Sequence, residues 1–347
     1  MEKIRIAVVG TGSIAQGCHL PVYQRRDDVE LVACVDIDFE KAKKAAEKFG
    51  AKKAYSNIDD MLANEKVDIV DVCTWTAAHA ECVIAAANAG IDVMCEKPTC
   101  DTLENAVKMR DAVKKNGVNF MLAVPLRYDE KAMYIRSLVD KGEFGDVFYG
   151  KTSYVRSRGI PGGWFSCTKY AGGGPVLDIG VHRIDLAWFL MGNPKPYSVT
   201  ATTSYRIGDY RGSNDDGWAG SAVPDYKFDT EDSTQGFIRF ENGASLYFEA
   251  SWTFNGPDLG STQIAGAKAG CTLDDFKIYR SEGAGMKVET PEGEFNGDIF
   301  GNEIDHFINC VRNHKTPCSD IDQAYQLEAM LMAIYESAKT GHEVIIK

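Results

Sequence analysis

The first third of the chain alternates between continuous apolar runs and amphipathic stretches. Five apolar runs begin at Ile4, Val29, Val67, Ile91 and Val118. Between them lie the amphipathic stretches FEKAKKAAEKFG, AHAECVIAAANAG and LENAVKMRDAVKKNG, and each closes on glycine, a common residue just past a helix C-terminus. Apolar strands separated by such helices are typical of a parallel sheet covered on both faces. The pattern predicts an α/β domain with a doubly wound parallel sheet, ending near Pro125.

The remainder of the chain has a different pattern. Helices are predicted over Lys131–Lys141, from the glycines 172–174 to about Met191, and twice between Asn302 and Lys339. The segments between them alternate polar and apolar residues, and FENGAS, from Phe240, contains an Asn-Gly pair typical of hairpin turns. This pattern favours an α+β domain with a large, mainly antiparallel open sheet. We therefore expect domains at 1–125 and 126–347, with a long surface loop over the glycine-rich residues 206–220.

Composition narrows the choice of partners. The chain has 347 residues, which is long enough for two domains. Its net charge of −12 disfavours binding to nucleic acid or to anionic membranes, because both carry negative charge. The N-terminus lacks the apolar segment of a signal peptide, and no run approaches the roughly 20 apolar residues of a membrane span. We expect a cytoplasmic protein with a small-molecule substrate.

The cysteines and histidines do not occur at the spacings that are typical of metal-binding sites. The ten cysteines include no Cys-x-x-Cys pair, and the six histidines include no His-x-x-x-His or His-Glu pair with ligand spacing. Several cysteines lie inside apolar runs, where they act as small hydrophobic residues. We therefore expect reduced thiols and no metal site.

A dinucleotide-binding fingerprint follows the first predicted strand directly. The sequence there is Gly10, Thr11, Gly12, Ser13, Ile14 and Ala15, which is the G-x-G-x-x-A form. Its glycines allow a tight turn and close approach of the pyrophosphate, and a small residue at Ala15 allows helix–strand packing. Asp36 ends the second strand at the expected distance, where a carboxylate binds ribose hydroxyls and repels a 2′-phosphate. The fingerprint predicts binding of NAD in preference to NADP.

Two further motifs indicate chemistry. Glu96-Lys97-Pro98 ends the strand that begins at Ile91, and ligands of open α/β sheets bind at the carboxyl ends of strands. Lys97 is therefore expected near the nicotinamide, although a lysine at a strand end is by itself an ordinary surface residue.

The second motif follows the glycines 172–174. If a helix begins near Pro175, then Asp178, His182 and Asp185 share one face at spacings of four and seven residues. A solvated polar stripe would give the same spacing. Removing a hydride from an alcohol requires a base for the hydroxyl proton, which suits His182, and a cation such as Lys97 to stabilise the alkoxide. Asp178 would orient the hydroxyl or hold the imidazole.

Taken in order, these motifs resemble the family of glucose–fructose oxidoreductase, inositol dehydrogenase and MocA proteins. The resemblance covers essentially the whole chain. It implies a Rossmann domain followed by an open antiparallel sheet domain, a homodimer or homotetramer formed through that sheet, and oxidation or reduction of sugars, cyclitols and related alcohols with NAD(P). It also implies that Lys97, Asp178 and His182 are the catalytic residues.

The resemblance suggests further site residues and shows some departures. Thr74-Trp75-Thr76 stands where the family often has a Pro-Asn-like pair, whereas His79 matches; Thr74, Trp75, His79 and Glu96 are thus expected to line the cofactor site. Arg127-Tyr128 matches an Arg-aromatic pair of the family. The expected substrate-binding residues are Lys97, Arg127, Tyr154, Trp164, Asp178 and His182. An ordinary buried tryptophan is the alternative for Trp164.

Three other functions fit parts of the pattern. An NAD-retaining glycosidase or epimerase would use the same groups for a transient oxidation of a sugar. A non-catalytic NAD-binding regulator would keep the fold, but the presence of Lys97, Asp178 and His182 argues against it. A metalloenzyme is disfavoured by the histidine spacing described above.

Overall fold

The computed structural model describes residues 2–208, 220–224 and 226–346. Most of the surface loop predicted over 206–220 lies outside the described residues. The described chain forms two compact units, one made of residues 1–124 and 300–328 and the other of 125–299 and 329–347.

The first unit contains a parallel six-stranded sheet. Its strands are β1 (Ile4–Val9), β2 (Val29–Val35), β3 (Lys53–Tyr55), β4 (Ile69–Val72), β5 (Asp92–Glu96) and β6 (Phe120–Ala123). The order β3-β2-β1-β4-β5-β6 places the switch point of a Rossmann fold between β1 and β4. The predicted doubly wound sheet is confirmed; the short strand β3 has too few residues to give a pattern in the sequence.

Helices connect these strands. They are α1 (Leu20–Gln24), α2 (Phe39–Phe49), α3 (Ile58–Asn64), α4 (His79–Asn88) and α5 (Leu103–Asn116), and a π-helical turn, Ala15–His19, precedes α1. Helix α2 shows why the sequence pattern was informative: Asp38 caps its N-terminus and Gly50 ends it with a φ of +80°. The turn of helix before α1 is an irregularity that no spacing rule predicts.

The second unit contains a nine-stranded sheet. Its strands are β7 (Val147–Val155), β8 (Pro196–Ser204), β9 (Ser233–Phe240), β10 (Ser245–Ser251), β11 (Leu259–Gly266), β12 (Ala269–Thr272), β13 (Lys277–Glu282), β14 (Gly285–Glu289) and β15 (Val344–Ile345). The order is β14-β13-β12-β11-β7-β10-β9-β8-β15, and only β7 and β10 pair in parallel. The mainly antiparallel sheet is confirmed, as is the hairpin at FENGAS, which joins β9 to β10.

The second unit also contains helices, and the helix that begins at Val181 packs on β7, β10 and β11 of this sheet. The helices include α6 (Glu130–Asp140), α7 (Thr168–Ala171) and α8 (Val181–Leu190), and a second π-helical turn, Val176–Gly180, leads into α8. A Cβ atom on Gly180 would lie 2.9 Å from the Cβ of Ala250 on β10, so glycine permits this turn to lie directly on the sheet.

The C-terminal helices depart from the predicted domain boundaries. These helices are α9 (Ile299–Asn313) and α10 (Ile321–Thr340). Residues 300–328 pack with the first unit rather than the second, and the division falls within α10. The reason is that buried side chains of α9 and of the first turns of α10 contact groups of the first unit; Ala324, for instance, accepts a hydrogen bond from Thr99 Oγ1 at 3.1 Å. Among the described residues, no helix is long and apolar enough to cross a membrane.

Candidate active site

The glycine turn after β1 fits a bound dinucleotide. Gly10 has a φ of +89°, and a Cβ atom there would lie 2.6 Å from the backbone of Cys73, so the protein's own packing requires glycine. A Cβ atom on Gly12 would meet no described atom within 4 Å. Packing therefore does not require glycine at this second position, where the fingerprint predicts close approach of a pyrophosphate. Ser13 is exposed, Ile14 half-buried and Ala15 fully buried.

Asp36 is oriented before any ligand binds. Its Oδ2 accepts hydrogen bonds from the backbone N–H and the hydroxyl of Thr11, both at 2.9 Å, and its Oδ1 accepts one from the N–H of Asp38 at 3.0 Å. The carboxylate stays half-buried beside Ile37, whose side chain is 75% exposed. The residue between the two fingerprint glycines thus fixes the carboxylate that the sequence predicts to bind ribose.

His79 joins two loops at the carboxyl ends of the strands. Its ring nitrogens lie 2.9 Å from the carbonyl oxygen of Pro98 and 3.1 Å from that of Thr74. Burial lowers the pKa of His79, although the hydrogen bonds to the two carbonyl groups oppose this effect. Thr74 and the adjacent Trp75 are half-buried. His79 therefore supports the two loops, a role that differs from the direct cofactor contact expected from the sequence.

Glu96 supports the backbone of Lys97. Its Oε2 accepts a hydrogen bond from the Lys97 N–H at 3.0 Å, and its Oε1 lies 3.1 Å from Nε2 of His19. Glu96 is 4% exposed, whereas Lys97 is half-buried. Both carboxylate oxygens of Glu96 thus contact protein groups.

His19 lies in a buried polar cluster that the sequence analysis missed. Its Nδ1 is 2.8 Å from Asp71 Oδ2, which also accepts a hydrogen bond from the Tyr23 hydroxyl at 2.9 Å. Burial by itself would lower the pKa of His19, but Asp71 and Cys73 outweigh it and raise that pKa well above its ordinary value. The sequence signal that could have identified this cluster is a charged residue, Asp71, within the apolar run VDIVDVCT. The side-chain atoms of His19, Asp71 and Cys73 that are able to bind a metal ion lie within 4.8 Å of one another.

The segment 176–191 presents two of the predicted catalytic residues. Asp178 and His182 are half-exposed, and Arg183 is the only other residue of this segment that is not buried. Asp185 is buried, so the predicted shared face of 178, 182 and 185 is wrong. His182 and Asp185 both lie in the regular helix α8, and the difference comes from packing, because Asp185 pairs with the buried Arg127.

Arg127 and Asp185 form a buried ion pair. Arg127 Nε is 2.7 Å from Asp185 Oδ2, its Nη2 is 2.6 Å from Oδ1, and both side chains are 1% exposed. Burial raises the pKa of Asp185 despite the opposing effect of Arg127. The expected role of Arg127 in substrate binding is therefore corrected: its guanidinium is engaged inside the protein.

Two residues that the sequence analysis did not name hold the segment that contains Asp178. Trp252 Nε1 donates a hydrogen bond of 2.8 Å to Asp178 Oδ2 and so orients that carboxylate. Glu231 accepts from the backbone N–H of Gly174 at 2.9 Å and from the Tyr335 hydroxyl at 2.8 Å. A Cβ atom on Gly174 would collide with Glu231, which explains glycine at this position.

The remaining predicted residues of the second unit are half-buried. The Tyr154 hydroxyl accepts a hydrogen bond of 3.1 Å from Arg156, and the guanidinium of Arg183 lies over the Tyr154 ring at 5.8 Å. Trp164 stacks on Phe165 with ring centroids 3.9 Å apart. Tyr154 therefore lies beside α8, which carries His182.

Family models match both parts of the chain. A model described as an oxidoreductase family with an NAD-binding Rossmann fold matches residues 4–124. A model of the GFO/IDH/MocA C-terminal domain matches residues 132–272.

Individual relatives agree with these matches. The chain is 31% identical to D-glucoside 3-dehydrogenase of Escherichia coli over 99% of its own length and 97% of that protein. It is 25% identical to scyllo-inositol 2-dehydrogenase (NAD(+)) of Bacillus subtilis over 96% and 93% of the two chains. A structure of levoglucosan dehydrogenase with NADH has the same fold, with a TM-score of 0.85, 22% identity and complete coverage of both chains. This chain is accordingly a member of the GFO/IDH/MocA oxidoreductase family, with an NAD-binding Rossmann fold in its N-terminal part.

Proposed function

We propose that the chain transfers a hydride between NAD and a hydroxyl-bearing carbon of a sugar, cyclitol or related polyol. The observation that carries this proposal is the exposure pattern of 176–191, where Asp178, His182 and Arg183 are half-exposed and the other residues are buried. The 31% sequence identity to a glucoside dehydrogenase, over an alignment that covers 99% of the chain, supports a glycoside or free sugar as the first substrate to test.

The first unit has the features that would hold the cofactor. Gly10, Gly12 and Ala15 form the pyrophosphate turn, Asp36 binds the ribose hydroxyls, and the loop at Trp75 lines the nicotinamide side. Asp36 favours NAD because its carboxylate repels the 2′-phosphate of NADP. When bound, NAD accepts or donates the hydride. Of these groups, the Asp36 carboxylate is already held by Thr11 and by the backbone N–H of Asp38.

Side chains of the protein would transfer the proton and stabilise the charge on the substrate oxygen. His182 takes the hydroxyl proton when the substrate is oxidised and returns it in the reverse direction. Asp178, oriented by Trp252, holds the substrate hydroxyl or the imidazole in place. The Lys97 ammonium stabilises negative charge on the substrate oxygen, which is the largest single contribution in many such reactions. Tyr154 and Trp164 line the sugar-binding side.

The assembly and location follow from other observations. One face of the nine-stranded sheet bears half-exposed aromatic residues, among them Tyr149, Phe237 and Tyr247, and this face supports association into a homodimer or homotetramer. All ten cysteines lie within the described residues and none forms a disulfide, which favours a reducing, cytoplasmic location. Light scattering of the purified protein tests the assembly.

A spectroscopic assay tests the activity. Reduced nicotinamide is followed with NAD and then NADP against glycosides, aldoses and cyclitols. We expect steady NADH production with one class of polyol and a clear preference for NAD. Loss of a glycoside with tightly bound nucleotide and no net NADH would contradict net redox turnover and indicate a transient oxidation.

A further inference from the structure

A buried chain of hydrogen bonds leads from α1 to Lys97. The Tyr23 hydroxyl donates to Asp71, Asp71 contacts Nδ1 of His19 at 2.8 Å, and Nε2 of His19 lies 3.1 Å from Glu96. Glu96 then accepts the backbone N–H of Lys97 at 3.0 Å. All four side chains that precede Lys97 in this series of hydrogen bonds are buried. The contacts therefore connect the interior of the first unit to the residue proposed to stabilise the substrate oxygen.

The geometry specifies the charge on His19. Both ring nitrogens face carboxylate oxygens, and a carboxylate is an acceptor, so both nitrogens must donate. An imidazolium that is 0% exposed between two carboxylates is a cation fully compensated by its neighbours. Removing it would leave Asp71 and Glu96 buried beside each other without a cation, and Glu96 would then lose its fixed orientation.

We propose that His19 and Glu96 are positioning residues that fix Lys97 for catalysis; this inference rests on the proposed function. The segment after Lys97 is held in the same way, by the contact of His79 with the Pro98 carbonyl and by the bond from Thr99 Oγ1 to Ala324. A lysine side chain has many rotamers, and charge stabilisation is effective only when the donor is oriented before the reaction. A rigid backbone on both sides of Lys97 meets that requirement.

The test is a double-mutant cycle on the full-length enzyme. Glu96→Gln and His19→Gln are each measured alone and in a Lys97→Met background, with kcat, KM and the NAD dissociation constant. We expect each single variant to lower kcat by about 10- to 100-fold, because a small misplacement of a catalytic group has effects of that size. The NAD dissociation constant should stay within about twofold, and in the Lys97→Met background neither variant should lower kcat further.

His306→Gln is the matched control. His306, on α9 of the same unit, accepts a hydrogen bond from the Cys318 N–H at 3.2 Å and lies outside the chain of contacts that reaches Lys97. This variant should lower the melting temperature with kcat unchanged. If His19→Gln fails to fold, Glu96→Gln alone decides the question.

The outcomes separate the two proposals. Wild-type turnover in Lys97→Met would overturn the proposed function itself. A strong loss in Lys97→Met, with kcat of Glu96→Gln within about twofold of wild type or with additive losses in the double variant, would overturn the positioning role. A rise in the NAD dissociation constant that accounts for the whole effect would assign Glu96 to cofactor binding instead.

Discussion

The two units hold their reactive side chains by different electrostatic means. In the first unit, one imidazolium, His19, lies between Asp71 and Glu96, and the carboxyl of Glu303 is buried in the same region. Burial and the nearby Glu96 raise the pKa of Glu303 well above its ordinary value. In the second unit, one buried cation and one buried carboxylate, Arg127 and Asp185, form a direct pair. The first arrangement places more carboxyl groups than cations in the interior, whereas the Arg127–Asp185 pair contains one of each.

A π-helical turn occurs beside each arrangement. Ala15–His19 ends at the buried His19, and Val176–Gly180 contains the half-exposed Asp178. Such turns are rare in proteins and occur often at functional sites. Here one turn directs a polar side chain inward and the other directs one outward. The comparison teaches that local helix geometry, as well as sequence spacing, determines which polar residues are available for chemistry.

The largest expected effect comes from removing a reactive group in either unit. Lys97→Ala and His182→Ala should each lower kcat by about 10²- to 10⁴-fold, because one removes a stabilising cation and the other a general base. Steady-state kinetics with the polyol identified in the assay measures the loss. Lys108→Ala, an exposed lysine of α5, is the control and should retain activity. Turnover near wild type in both variants would contradict the assignment.

The stability of the second unit should be sensitive to the loss of one partner of the buried Arg127–Asp185 ion pair. Asp185→Asn leaves the Arg127 guanidinium buried without its counter-charge, and we expect a loss of about 3–5 kcal/mol in the free energy of unfolding. Denaturant unfolding measures it. Glu241→Gln breaks the exposed pair with Lys195 and should cost less than about 1 kcal/mol. Equal effects of the two substitutions would show that burial does not govern the Arg127 pair.

The first unit should show a pH dependence from its buried carboxyls. Burial and the nearby Asp101 raise the pKa of Glu328 from 4.5 to about 8. A raised folded-state pKa contributes stability that is complete below about pH 4.5 and is lost as the pH rises through 8. Glu328→Gln should therefore gain stability relative to wild type, by about 4 kcal/mol, between pH 5 and 8.5.

Melting temperatures across that pH range measure this effect. Glu336→Gln, an exposed position on the same helix α10, should retain the wild-type pH dependence. A constant difference between Glu328→Gln and wild type at every pH would show that Glu328 does not titrate in this range.

The smallest expected effect concerns the orientation of Asp178. Trp252→Phe removes the indole N–H donor but keeps an aromatic ring, and we expect a decrease in kcat of about tenfold, the size of one charge-assisted hydrogen bond. Kinetics of Trp252→Phe and Asp178→Asn should be compared with those of the double variant. Independent, multiplicative losses would mean that Trp252 does not act through Asp178.

Much of the fold was predictable because its signals are local. The apolar runs and glycine-terminated helices gave the parallel sheet, and the Asn-Gly pair gave the β9–β10 hairpin. The placement of 300–328 was not predictable, because it depends on contacts far apart in the chain, such as that between Ala324 and Thr99. The role of Arg127 was mistaken for a similar reason: its partner, Asp185, lies 58 residues away.

The sequence by itself determined the family, the dinucleotide turn and the identity of the groups proposed for catalysis. These depend on residue type at short spacing: glycine for a positive φ at Gly10, a carboxylate at Asp36, and a lysine at the end of β5. Only the tertiary structure decided that Asp185 is buried while Asp178 is half-exposed, and that His19 joins Asp71 to Glu96. Burial and charge pairing result from packing between segments that are distant in the chain, and short sequence spacing does not show such contacts.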